Sequence, residues 1–187
     1  MKMVTLDQWD EETWKLVAPL YEEAFGTSSA KPKHVIQHML STNLGYLHVL
    51  YEHEKAIAMA ITGIVNNGHL LIIDYLTVLS SYRSQGKGRK VFELIKVWGQ
   101  TKKSVSNIII EVEAEPTPSN LARIRFWEKC GFILTEYIHS YKWVPETYQA
   151  MFLEIRKDSS FPKKGEDLFK FITLFHKASF TKAKHKN

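Results

Sequence analysis

Apolar positions recur along this chain with two periods, and their alternation outlines strands interleaved with helices. From Asp10 to Phe25 they fall at Trp14, Val17, Leu20, Tyr21 and Ala24, one face of a helix, and Gly26 follows as its stop. A shorter helix is predicted from Pro32 to Leu40, with proline suited to the first turn. Strands are predicted at 1–6, 46–52, 56–65 and 69–78, with turns at 53–55 and at Asn66-Asn67-Gly68, residues that tolerate positive φ. Val91, Phe92, Leu94, Ile95 and Trp98 then mark the buried face of a helix expected to end near Gly99. A strand at 107–115 closes at Pro116 and Pro118, and a helix runs from Ser119 to Lys129, with Gly131 as its stop. A strand at 132–143, a strand or helix at about 148–157 and an amphipathic helix at 165–179 complete the chain. This order predicts an α/β fold, a mixed sheet with helices on its faces.

Composition narrows the class. The chain has 187 residues, 44% hydrophobic and 24% charged, which suits one ordinary globular domain. No stretch reaches the roughly 18 uninterrupted apolar residues of a spanning helix, so no membrane partner is expected. The opening MKMVTLDQWDEE turns acidic too early for a secretory signal. A single cysteine, Cys130, excludes an internal disulfide framework and a cysteine-based zinc site, and a reduced, cytoplasmic setting is expected. The formal charge of +5 is partly that of the tail, Lys182, Lys184 and Lys186, expected to be frayed and solvated. The other basic residues are spread along the chain and concentrated at one turn, with no aromatic-interleaved basic stripe. That argues against nucleic acid and for a compact polyanionic ligand.

The turn is YRSQGKGRKVFELI, residues 82–95, lying between a strand and a helix. The first amides of a helix lack intrahelical acceptors and sit at the positive end of its dipole, so they favour an anion. Gly86 and Gly88 let consecutive N–H groups converge on one cluster of oxygens. Arg83, Lys87, Arg89 and Lys90 add attraction. A P-loop needs glycines five apart followed by Lys and Ser or Thr, and the dinucleotide fingerprint needs a third glycine where Val91 stands. Neither is present.

What remains, Arg83-x-x-Gly86-x-Gly88, resembles the Q/R-x-x-G-x-G/A hallmark of the GNAT acetyltransferase superfamily. FWEKCGF, residues 126–132, resembles that family's recurrent aromatic-Glu-Lys-x-Gly-Phe element. The order of elements is similar over about residues 1–143. The resemblance implies a GNAT fold, with a mostly antiparallel central sheet flanked by helices. It assigns 1–143 to an acetyl-CoA-binding domain and leaves 144–187 as a C-terminal strand/helix extension packed on it. It implies acetyl-CoA as cosubstrate, with its pyrophosphate on the backbones of Gln85, Gly86, Lys87, Gly88 and Arg89, and with Lys90 at the margin. Arg83 belongs to the same motif. Pantetheine would pair with backbone near Leu76 and Val78. Asn120 would touch the cofactor arm, the rival reading being a helix N-terminal residue beside Ser119.

The implied chemistry is direct transfer to an amine of a small molecule or peptide, with the oxyanion met by an amide near Val78. An alkyl amine of pKa near 10.4 is only about one part in 2,500 neutral at pH 7, so a general base helps. The candidates are Asp74, one of Glu111 and Glu113, or water alone. Trp127 stands where many members carry a tyrosine that protonates the leaving thiolate, a transfer indole cannot perform. Coenzyme A then leaves as thiolate, Tyr137 or Tyr141 substitutes, or the chain is a coenzyme A-binding sensor or structural protein. Trp127 itself is expected to pack against pantetheine or the core. The acceptor is expected near 11–41 and the strand at 132–143, with Trp14, Tyr21, Phe25, Tyr137 and Tyr141 as candidate lining. Cys130 is expected to be a buried thiol, and His34 and His38 surface residues without a third ligand, so no metal is expected. The run at 169–180 is expected to be a docking helix or a dimer contact.

Overall fold

The computed structural model describes residues 1–26, 30–65, 67–157 and 160–181. The tail lysines 182, 184 and 186 lie outside them, as does Asn66. Among the described residues seven strands and five α-helices follow in the order β1 (Lys2–Leu6), α1 (Glu11–Phe25), α2 (Lys33–Ser41), β2 (Gly45–Glu52), β3 (Lys55–Val65), β4 (Leu70–Val78), α3 (Lys87–Lys103), β5 (Asn107–Glu113), α4 (Pro118–Lys129), β6 (Ile133–Ser140), β7 (Thr147–Glu154) and α5 (Gly165–Phe180). The strands form one sheet in the order β1-β2-β3-β4-β5-β7-β6, mostly antiparallel and flanked by helices, as expected for an α/β GNAT fold.

The chain divides into two compact units: Met1–Gly63, Ile73–Trp98 and the chain from His176 in one, Ile64–Ile72 and Gly99–Phe175 in the other. In the first, β1 and β2 pair antiparallel from Lys2↔Tyr51 to Leu6↔Leu47, and β2 pairs with β3 across a bulge at Leu50/Tyr51. β3 is buried at eight consecutive positions, so a period of two is lost there. Helix α1 begins because the Asp10 carboxylate accepts from the Thr13 amide at 2.8 Å, with Glu11 and Glu12 favourably placed at the dipole's positive end. It ends at Gly26, whose φ of +58° suits glycine. Val17, Ile36, Met39, Val49, Ile57, Met59, Ile61, Phe92 and Ile95 are fully buried in this unit.

In the second unit β4 and β5 run parallel over three pairs, Leu70↔Asn107 to Ile72↔Ile109. Strand β7 pairs antiparallel with β5 through seven consecutive positions and with β6 on its other side. Of the segment read as strand or helix at about 148–157, residues 147–154 form a strand internal to the sheet, between β5 and β6. The expected helix stop at Gly99 is corrected. α3 continues to Lys103 and closes where Ser104 adopts φ +57° and the Val105 N–H donates to the Gly99 carbonyl at 3.0 Å. Gly99 instead makes room for that return, since a Cβ there would meet Val105 at 3.4 Å. Gly131 does stop α4, at φ +94°, with the Phe132 N–H donating to the Trp127 carbonyl at 3.1 Å.

Candidate functional site

In the turn after β4 Gly86 takes the left-handed backbone, whereas Gly88 lies within α3. Ser80–Tyr82 form a short 3-10 turn, Ser84 and Gly86 take φ of +59° and +73°, and α3 begins at Lys87. The Lys90 amide donates to the Gly86 carbonyl at 3.0 Å, the first bond of the helix. The amides of Lys87, Gly88 and Arg89 therefore have no intrahelical acceptor and stand at the positive end of a 17-residue helix. Nothing lies within 4 Å of where a Gly86 Cβ would be. These features fit a polyanionic group approaching the backbone.

The motif's side chains mostly serve the turn itself. Arg83 Nε donates to the Val78 carbonyl at 2.9 Å, and its guanidinium reaches Glu23 at 3.3 Å. Gln85 Nε2 donates to the Ser81 carbonyl at 3.0 Å, and Lys87 Nζ pairs with Glu52 at 2.7 Å. That pairing holds the Glu52 carboxyl below its ordinary range. Arg89 and Lys90 are exposed, two cations at the helix start. The ladder from β4 to β5 covers three of β4's nine residues; Asp74, Leu76 and Val78, which share one face, lie beyond it.

Asp74 lies in a buried ion pair. Both its oxygens accept from Lys31 Nζ, at 2.7 and 2.6 Å, and the two side chains are 4% and 5% exposed. Lys31 Nζ is also 3.2 Å from His176 Nδ1. The Tyr75 hydroxyl accepts from the Lys31 amide at 3.0 Å, and the Tyr21 hydroxyl donates to its carbonyl at 3.2 Å. Burial raises both phenols, for Tyr75 with the Asp74 charge adding to it, so both stay protonated. Sequence reasoning selected Asp74, Tyr21 and Phe25 but not Lys31 or His176. The only local signal was a lysine directly before Pro32, between two helices.

In the second unit Asn120 is 5% exposed and its amide nitrogen donates to the Glu115 carbonyl at 3.0 Å. Its backbone N–H donates to Thr117 Oγ1, so it belongs to the start of α4. Trp127 is buried, with its ring 4.9 Å from Phe126 and 5.1 Å from Phe132 between centroids, which places it in the core. Cys130 is buried, as expected. On β6, the Tyr137 hydroxyl is 3.4 Å from His139 Nδ1, and the His139 ring stacks on Phe169 at 4.2 Å. Burial lowers the His139 pKa, so its ring is neutral near pH 7. Tyr141 donates to Glu111 Oε2 at 2.9 Å, which engages one of the alternative carboxylates. His139 and Phe169 were not picked from sequence, because nothing local joins residues thirty apart. Among the described residues no helix is long and apolar enough to cross a membrane, and no three His, Cys, Asp or Glu side chains gather to hold a metal.

Comparison with known proteins bears on the fold and the family. The family model described as acetyltransferase (GNAT) family matches residues 6–132. No curated protein sequence matches. Among solved structures, a GNAT-family protein from Bacteroides thetaiotaomicron is similar with a TM-score of 0.69 at 15% identity, covering 95% of both chains. The ribosomal-protein-S18-alanine N-acetyltransferase of Escherichia coli gives 0.61 at 18% identity, covering 86% of this chain and 99% of that one. An aminoglycoside 6'-N-acetyltransferase complexed with coenzyme A gives 0.64 at 14% identity, covering 86% of this chain and all, 100%, of the other. At these identities the structures establish the fold, and the match of the family model over most of the chain establishes the family: the chain belongs to the GNAT acetyltransferases.

Proposed function

We propose that the chain is an acetyl-CoA-dependent N-acetyltransferase that transfers acetyl directly to an amine of a small molecule or peptide. The observation that carries this is the turn 83–90. It presents three helix-start amides, two exposed cations and an open approach at Gly86, directly after a strand whose ladder to β5 stops at Ile72 among the described residues. Acetyl-CoA supplies the activated acyl group. The backbones of Gln85 to Arg89 hold its pyrophosphate, with Arg89 and Lys90 attracting it; Arg83 acts by fixing the turn through the Val78 carbonyl. Backbone at Leu76 and Val78 lies along the arm, and an amide near Val78 meets the oxyanion.

The carboxylate of Asp74 is committed to Lys31, so the proton of the attacking amine goes to water. Tyr137 is the group we assign to hold the proton for the departing thiolate. Asn120 orders the start of α4, and Trp127 packs against Phe126 and Phe132. A second reading, coenzyme A binding without transfer, has one observation in its favour: Trp127 has no hydroxyl and is enclosed by Phe126 and Phe132.

Calorimetric titration with acetyl-CoA, then free-thiol release over a panel of polyamines, amino acids, aminoglycosides and peptides, separates these readings. Binding with amine-dependent thiol release is expected. Binding with none across the panel favours the second reading, and no binding overturns both.

A further inference from the structure

Lys31 is held as a protein holds a ligand. Its backbone N–H and carbonyl are each met by a tyrosine hydroxyl, Tyr75 at 3.0 Å and Tyr21 at 3.2 Å. Its Nζ has both Asp74 oxygens at 2.7 and 2.6 Å, His176 Nδ1 at 3.2 Å and the centre of the Tyr75 ring at 5.1 Å. The rings of Tyr21, Phe25 and Tyr75 pack on one another with centroids 5.3, 5.0 and 4.7 Å apart. A primary ammonium offers three donors and accepts nothing. A carboxylate, an imidazole nitrogen and the face of an aromatic ring are the groups that satisfy it. All three kinds converge here, in a place 4–5% exposed. Neutralising Asp74 would need only the first.

We propose that Asp74, His176 and Tyr75, with the Tyr21 and Phe25 rings packed behind Tyr75, form a cage for a primary alkylammonium, and that Lys31 is its resident occupant. While Lys31 fills the cage, a free cationic amine is excluded from Asp74, which makes Lys31 a determinant of acceptor specificity. Only this acceptor consequence rests on the transferase reading; the cage does not depend on acetyl-CoA. Truncating Lys31 at Cβ leaves a space of the shape of n-propylammonium, facing a buried carboxylate without its counter-ion. A ligand of that shape and charge restores both the packing and the charge balance.

The test is thermal unfolding of Lys31→Ala in n-propylammonium chloride, against equal concentrations of sodium chloride and of n-propanol. The variant is expected to melt below the wild type and to recover at least about half of the lost Tm at about 10–100 mM n-propylammonium, as mass action on a site in the folded state requires. Neither control restores it, the wild type does not respond, and Lys31→Ala/Asp74→Asn loses the response. If the variant does not fold unaided, refolding from urea with n-propylammonium but not n-propanol is the same readout. Equal rescue by the controls, an equal rise in the wild type, or no refolding in any of the three overturns the cage. Acetyl-CoA titration of the wild type is read separately, so failure of the cage and failure of the transferase reading are distinguishable.

Discussion

Gly86→Ala separates what the turn contributes to stability from what it contributes to binding. The backbone at Gly86 has φ +73°, a region that costs a residue with a Cβ about 1–2 kcal/mol. Because nothing lies within 4 Å of the added Cβ, no clash with the protein adds to that cost. For a chain of this size each kcal/mol lowers Tm by about 2–4 °C, so a fall of about 2–8 °C is expected. Gly68, in the turn before β4, is a matched control: its φ is +92° and its Cβ position is equally open. Gly68→Ala should cost similar stability. On the proposed function only Gly86→Ala puts a methyl group where the pyrophosphate meets the backbone. Losing one charge-assisted hydrogen bond of about 1.5–3 kcal/mol lowers acetyl-CoA affinity about ten- to a hundredfold. Thermal unfolding and calorimetric titration of the three proteins at one salt concentration measure both effects. If Gly86→Ala loses no more affinity than Gly68→Ala, the turn does not hold the cofactor.

Two further outcomes are expected. Asp74→Ala leaves the Lys31 ammonium buried without its carboxylate, and should cost about 3–5 kcal/mol in urea unfolding; a wild-type midpoint would show that the pair contributes nothing. His48 is fully buried, its ring nitrogens within 2.9 Å of Thr5 Oγ1 and Thr62 Oγ1, and burial holds its pKa down from 6.5 to about 3. Between those values the unfolded chain binds the extra proton, so stability is complete above 6.5 and falls as the pH drops toward 3, by up to about 1.4 kcal/mol per pH unit. His139, also lowered by burial, acts with the same sign. Urea midpoints from pH 7.5 to 5.5, above the range where most carboxylates titrate, check this; a flat profile contradicts it.

The elements with strong periodicity or distinctive caps were legible in the sequence. α1 lies between Asp10 and Gly26, the turn bears Gly86 at positive φ, and α4 stops at Gly131, all from signals a few residues wide. Gly99 misled because a glycine can serve close approach as well as termination, and the deciding contact, Val105, comes after it. The 148–157 segment was ambiguous because Tyr148, Ala150, Met151 and Phe152 suit either period, and its neighbours on both sides are set by pairing. The site divides in the same way. A backbone-amide anion site is written in contiguous residues, whereas the partner of Asp74 is 43 positions away and has no local mark. A buried carboxylate on a strand looks like a base until its counter-ion is known.

The place of β7 between β5 and β6 has a consequence for how the chain is made. Pairs from β5 to β7 join residues 35 apart, at Glu113↔Tyr148, to 47 apart, at Asn107↔Glu154. A chain emerging from the ribosome completes β5 and β6 before the strand that separates them exists. Until Thr147–Glu154 arrive, one edge of Asn107–Glu113 lacks its native neighbour, and that strand carries Ile108, Ile109 and Ile110. Such an edge is the kind that pairs with other chains. Pauses that expose Asn107–Glu113 before Thr147–Glu154 have emerged would therefore be the hazardous ones, and a hairpin of β6 and β7 that forms locally and then docks would be the safe route.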